Sequence, residues 1–230
     1  AAHKPEEACD EVARNRWFEL DADRWYVVQQ WLDKIPEEHR IKNPDLLLSQ
    51  SWGAYENFQL EHMFRLLEQV KPLLSDTEAD KKLYGEWYVL NGLIAHWSGN
   101  GKEALKLFQQ ALDLLPNHSE LVMGMLYLHI GLASSVVGKK DLAIRNLNQL
   151  LSTGSGSAIY QTRLLAGLFY INQFAANLND AKRAAQEAQR LAKKDKLDYT
   201  HAMAICMEAT ACFCANELET ALTLYRLAYD

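Results

Sequence analysis

Along most of this chain, apolar residues recur three and four positions apart in blocks of about 12 to 20 residues, and no block alternates with the period of two that marks a strand. The clearest stretch is Tyr88 to Pro116, read as two antiparallel helices around the turn Gly99-Asn100-Gly101. In its second helix Ala104, Phe108 and Ala111 follow the i, i+4, i+7 spacing of one buried face. Gly92 and Ala104 are small enough for the two helices to approach closely, and Pro116 stops the second because it has no N–H to continue the ladder. The unit recurs. Its small anchor reappears as Ala143, Ala181 and Ala221, at intervals of 39, 38 and 40 residues, and a weaker copy lies 41 residues earlier at Met63. Twelve residues before the anchors stand Ser51, Gly92, Gly131, Phe169 and Ala209, and four residues after them stand Leu67, Phe108, Leu147, Ala185 and Tyr225. The predicted pairs span 46–57 with 60–74, 79–98 with 102–115, 118–137 with 140–151, 158–176 with 180–194, and 198–214 with 218–229. Ahead of them, helices are expected at 4–16 and 22–34, then a connector over 36–40 and a helix start at Asn43-Pro44-Asp45.

A repeat with a period near 40 residues that cannot bury its apolar face alone predicts an all-α solenoid. The pattern resembles the tetratricopeptide repeat, which implies a right-handed superhelix of about five antiparallel helix pairs of 38–41 residues. Residues 1–44 are then N-terminal helices leading into an array over 45–230. The segment Thr153–Ser157 (TGSGS) reads as a turn between repeats, being too short to link domains.

Composition narrows the function. A formal charge of −6 argues against a surface that grips a nucleic-acid backbone. No apolar run reaches a membrane-spanning length, and the first residues lack a signal-peptide core, so a cytoplasmic setting is the expectation. Cys9, Cys206, Cys212 and Cys214 have no zinc or disulfide-framework spacing; the last three share one helix and read as buried small hydrophobes. All six tryptophans and all five prolines precede residue 117.

The run Trp31-Leu32-Asp33-Lys34-Ile35-Pro36-Glu37-Glu38, followed by Asn43-Pro44-Asp45-Leu46-Leu47-Leu48 and Trp52, resembles a segment of the large MalT-type, LuxR-family transcription activators. In that family such a phrase leads from an ATPase module into a superhelix of long tetratricopeptide units. The resemblance implies a signal-sensing domain that receives a small-molecule inducer or a regulatory protein, with self-association as a further possibility. It also implies a nucleotide-binding module and a helix-turn-helix elsewhere in a longer regulator. This sequence holds neither a GxxxxGK[ST] phrase nor a DNA-reading helix, so it reads as a fragment. ATP and nucleic acid are then expected to bind only to the missing parts, with no cofactor and no membrane contact for this chain. Ser51 and Met63 depart from the small residues usual at their positions, which loosens the register of the first repeat.

Catalysis is not expected, because no nucleophile, base and orienting group fall into a set. His96 and His129 lie on successive first helices with no third metal ligand in view. Glu6-Glu7 and Glu37-Glu38 suit helix starts and a solvated connector, and the basic run from Lys182 to Lys196 suits an exposed helix face. The resemblance also implies that the first helix of each unit lines a concave groove. The candidate groove residues are Trp52, Tyr55, Glu56, Glu86, His96, Trp97, Arg163, Tyr170 and Gln173, with Met125 and Phe213 in similar positions. Aromatics interleaved with polar groups suit an amphipathic effector such as a sugar ring. The alternative is a scaffold that takes a peptide or partner protein; only Arg163 is available to grip a terminal carboxylate, which counts against a carboxylate clamp.

Overall fold

The computed structural model describes residues 4–75, 77–78, 80–115 and 119–229, and every regular element among them is helical. The predicted stop at Pro116, and His3 and His118, lie outside the described residues. Contacts divide the chain into two compact units, Ala1–Ser119 and Glu120–Asp230. The first contains α1 (Pro5–Asp21), α2 (Trp25–Leu32), α3 (Glu37–Arg40), α4 (Pro44–Glu56), α5 (Leu60–Val70, with a 3-10 turn at Lys71–Leu73), α6 (Lys81–Trp97) and α7 (Gly101–Leu114). The second contains α8 (Glu120–Val136), α9 (Lys140–Ser152), α10 (Ala158–Phe174), α11 (Leu178–Asp195), α12 (Asp198–Cys214) and α13 (Leu218–Tyr229). The five predicted pairs form, as α4–α5, α6–α7, α8–α9, α10–α11 and α12–α13. Inside each unit a first helix also packs on the pair before it, as α6 does on α4 and α5 and α10 on α8 and α9. This is the all-α, pair-upon-pair packing of an α-solenoid.

One turn geometry makes all five pairs. Phe58, Gly99, Gly138, Ala176 and Asn216 have positive φ, and each lies five residues before its anchor. At each turn the following N–H reaches back to the carbonyl five residues earlier, from Gln59 to Ala54 (2.8 Å), Asn100 to Ala95 (2.9 Å), Lys139 to Ser134 (2.8 Å), Asn177 to Asn172 (2.9 Å) and Glu217 to Cys212 (2.9 Å). That bond closes the left-handed helix end and satisfies an orphan carbonyl. The first pair, weakest in sequence, thus shares the register of the rest. Phe58 and Ala176 hold this turn against a left-handed cost of roughly 1 kcal/mol that Gly99 and Gly138 avoid. Asn43 and Asn100 cap the next helices by accepting the N–H of Leu46 (3.3 Å) and of Glu103 (3.2 Å).

Two local expectations change. The 36–40 connector is partly helical, as α3. The helix expected over 4–16 runs on to Asp21, because Cys9, Val12, Arg16 and Leu20 form one buried stripe. Its polar member, Arg16, hides the stripe from a hydrophobic pattern. With α1 at full length, α1 and α2 form a further pair in the same register. Asp23 is left-handed, Arg24 N–H bonds the Glu19 carbonyl (2.8 Å), and Val28, Leu32 and Ile35 are buried at the anchor positions.

Size is complementary across three of the pairs. Gly92 faces Phe108 so closely that a Cβ at 92 would come within 2.3 Å of the ring, and one at Gly131 would meet Leu147 at 3.0 Å. In the α10–α11 pair the order reverses, with Phe169 on the first helix and Ala185 on the second, both buried. In α1–α2 the position held by Gly92 and Phe169 falls to Arg16. Its guanidinium donates to Glu86 through both nitrogens (2.9 and 2.8 Å) and to Asp45 (2.9 Å), and lies 4.2 Å from the Trp17 ring centroid. Burial works against this charge, and the Glu86 and Asp45 carboxylates more than offset it, so Arg16 is held ionised. The ion pairs fasten α1 to α4 and α6.

Candidate binding surfaces

The nine predicted groove residues do not converge on one site. Trp52 and Glu86 are core residues, 1% and 0% exposed, and Met125 is buried as well. Their outward placement is therefore corrected. Inside each unit a first helix packs on more than its own partner, as α4 does on α2 and α6 and α10 on α8 and α12, so much of the face assigned to a groove is interior. Tyr55 and Glu56 are half-buried near the end of α4, with the Tyr55 ring edge-on to Trp52 at 6.3 Å.

The other candidates fall into two groups, one in each unit. In the first, Trp97 (47% exposed) meets Phe58 (69% exposed) edge-on at 6.0 Å, and His96 meets Trp97 at 5.6 Å. The left-handed Phe58 turn carries that ring to the helix ends, where sequence spacing alone did not place it. In the second, Tyr170 stacks on the exposed Phe174 at 6.2 Å, and Gln173 donates to the Cys214 sulfur at 2.9 Å. Arg163 is half-buried on the same helix, α10, and Phe213 is exposed. Burial raises the Tyr170 phenol above its ordinary value, with Arg163 opposing. Cys214 is exposed, in contrast to the buried reading; Cys9 and Cys212 are buried and Cys206 half-buried. Among the described residues no group of three or more His, Cys, Asp or Glu could hold a metal ion, and no helix is long and apolar enough to cross a membrane. The basic run is paired at Lys182–Glu217 (2.6 Å), Arg183–Asp180 and Arg190–Glu187 (2.6 Å).

His96 provides a test of the first group. Burial holds its imidazole below the ordinary 6.5. The folded state therefore takes up its proton later than the unfolded chain, and stability falls as pH drops from neutral through 6.5. His96→Gln should flatten the pH dependence of the urea unfolding midpoint between about pH 7 and 5 relative to the parent. Equal slopes for the two proteins would place His96 in solvent.

One hollow was not anticipated. It is a groove of about 650 Å³ between α1 and the end of α2. One wall is a stripe of α1 containing Pro5, Ala8, Val12, Asn15 and Glu19, flanked by Glu11 and Phe18; the other is Trp31, Lys34, Ile35 and Pro36. The α1 stripe spans 15 residues, or about 21 Å at 1.5 Å per residue. Glu11 pairs with Arg14 (2.7 Å) toward solvent, and the largely buried Glu19 pairs with Arg24 (2.6 Å). Residues 4–38 hold five Lys and Arg against ten Asp and Glu, net −5 of the chain's −6, so the groove lies in the most acidic part of the sequence.

Comparison with known proteins gives one direction. The chain is 28% identical over 109 residues to the HTH-type transcriptional regulator MalT of Serratia proteamaculans (strain 568). The same identity and extent hold for the MalT proteins of Yersinia pestis (strain Pestoides F) and Yersinia pseudotuberculosis serotype O:1b (strain IP 31758). Each match covers 46% of this chain and 12% of the relative, so the chain spans a small part of the curated relatives it resembles. No family model and no solved structure matches. The chain is thus a helical-repeat protein with distant similarity to a transcription regulator.

Proposed function

We propose that this chain is a signal-receiving repeat domain of a MalT-like transcription regulator, which binds a small-molecule effector or a regulatory protein. The observation that carries this reading is the 109-residue similarity to MalT in a chain built of stacked helix pairs. In this reading the chain does no chemistry and holds no cofactor. ATP and DNA belong to other modules of a longer protein that works in the cytoplasm. The Phe58–His96–Trp97 and Tyr170–Phe174 groups offer aromatic faces beside polar groups, the combination that stacks on a ring and hydrogen-bonds its edge. An effector shifts the domain only by its differential affinity for two states, and tetratricopeptide-like curvature or self-association would supply those states.

The test is thermal unfolding of the chain against sugars, small metabolites and short peptides. An effector at about 100 times its Kd adds roughly 2.7 kcal/mol of stability. The expected result is a shift with one small molecule that Trp97→Ala or Tyr170→Ala abolishes. A shift that both variants retain would remove these two groups as the site, and stabilisation by peptides alone would replace the effector reading with a scaffold.

A further inference from the structure

We propose that α1 is an autoinhibitory strap: it covers the Asp45 and Glu86 carboxylates of α4 and α6, and a partner segment that presents an arginine displaces it there. In a simple solenoid each pair touches only its neighbours. The contacts of α1 break that rule. Arg16 donates to Asp45 at the start of α4 (2.9 Å) and reaches past the α4–α5 pair to Glu86 on α6 (2.9 and 2.8 Å). At the end of α1 the Ser119 hydroxyl donates to the Asp21 carboxylate (2.6 Å), from 98 positions away and beyond α7. Polar contacts thus tie α1 to three separate parts of the first unit. Glu86 is a residue that the repeat pattern turns outward, toward a ligand, and Arg16 of α1 is what closes over it.

Charge holds α1 more than apolar burial does. Over 17 residues it buries three apolar side chains, Cys9, Val12 and Leu20, whereas α4 buries five over 13, Leu46, Leu47, Leu48, Trp52 and Ala54. Phe18 on α1 is 71% exposed, and the hollow toward Trp31 and Ile35 leaves another side of α1 loosely packed. A buried ion pair is a weak source of net stability, because desolvating the charges offsets much of their attraction. It is a selective contact, however. Two nitrogens on one carboxylate with a second carboxylate alongside suit a planar guanidinium and not an ammonium. When α1 lifts, Arg16 regains its hydration, and Asp45 and Glu86 stand open to the same contact from another chain. The displacing segment is therefore helical, with an arginine and apolar residues four positions to either side, as Val12 and Leu20 flank Arg16. No residue of this site belongs to the Phe58 or Tyr170 aromatic groups, so the inference stands whether or not an effector binds there.

Hydrogen exchange of the full chain, read by mass spectrometry, tests the strap directly. Amides along the whole of α1, including those next to Asp21, should exchange together and about tenfold or more faster than those of α4 and α6. Simple fraying would instead grade away from the first residue of the helix. A fluorescein-labelled peptide copying residues 4–23, with Cys9→Ala, supplies the displacing segment, and fluorescence anisotropy follows its binding to the full chain. The chain's own α1 competes at a high effective concentration, so the parent should bind weakly, and Arg16→Met in the chain should tighten binding about tenfold or more. A peptide that also carries Arg16→Met should lose that binding. Circular dichroism first shows the Arg16→Met chain to be folded; if it is not, exchange in the parent decides alone. Amides of α1 as protected as those of α4 overturn the proposal. So does equal binding of the two peptides, or no binding of either, by the folded variant.

Discussion

Glu86→Ala should destabilise the first unit by about 3–5 kcal/mol, because it leaves the buried Arg16 guanidinium without its bidentate partner. All six tryptophans lie in residues 1–119, so their fluorescence in urea follows this unit alone. The cost comes from stranding a charge and not from losing a favourable bond, and the double variant separates the two. Arg16→Met with Glu86→Leu removes both charges and keeps the volume, so it should regain most of the loss. If the double variant is as unstable as Glu86→Ala, the ion pair is not the source. Asp45 should matter far less. Its side chain is 28% exposed, and burial together with Glu86 holds its carboxyl above the ordinary 3.8 despite Arg16. The folded state then keeps that proton longer than the unfolded chain, so ionisation of Asp45 lowers stability as pH rises through this window. Asp45→Asn forgoes one charged bond but also that penalty, and its midpoint should stay closer to the parent than that of Glu86→Ala.

Much of the fold was legible because one short signal repeats. The small anchors and the glycines and asparagines near the turns located five pairs, and the left-handed residue lies five positions before every anchor, including Met63. The α1–α2 pair was not legible, for a reason visible in one residue. Where Gly92 or Phe169 would mark the inner face, α1 has Arg16, which resembles a solvated residue until Glu86 and Asp45 arrive from 70 and 29 positions away. The binding surfaces were harder still. Trp52 and Glu86 looked outward because an isolated helix pair has a free side, and other helices of the same unit remove it, as Arg16 of α1 does at Glu86. The α1 groove went unseen because Glu11, Asn15 and Glu19 also describe an ordinary wet helix face. Their 3-4 spacing with Ala8 and Val12 was the available clue.

Phe108→Ala should be comparably severe, with an expected loss of about 3–5 kcal/mol, since a fully buried ring is deleted between α6 and α7. Its neighbour responds in the opposite sense. At Gly92 a methyl group would lie within 2.3 Å of the Phe108 ring, so Gly92→Ala should cost about 1–3 kcal/mol by overpacking. If the repeats share one rule of complementary size, the α6–α7 pair should accept the reversed order that Phe169 and Ala185 display. Gly92→Phe with Phe108→Ala should then be more stable than the sum of its single variants predicts, as expected for residues in direct contact. Tryptophan fluorescence in urea again reads the outcome, because Trp87 and Trp97 lie on α6. A strictly additive double variant would mean that close packing at Gly92 is peculiar to its pair and that the register describes backbone alone. Coupling would extend the register to side-chain volume, and each helix pair would then be one large and one small residue facing each other across a fixed distance.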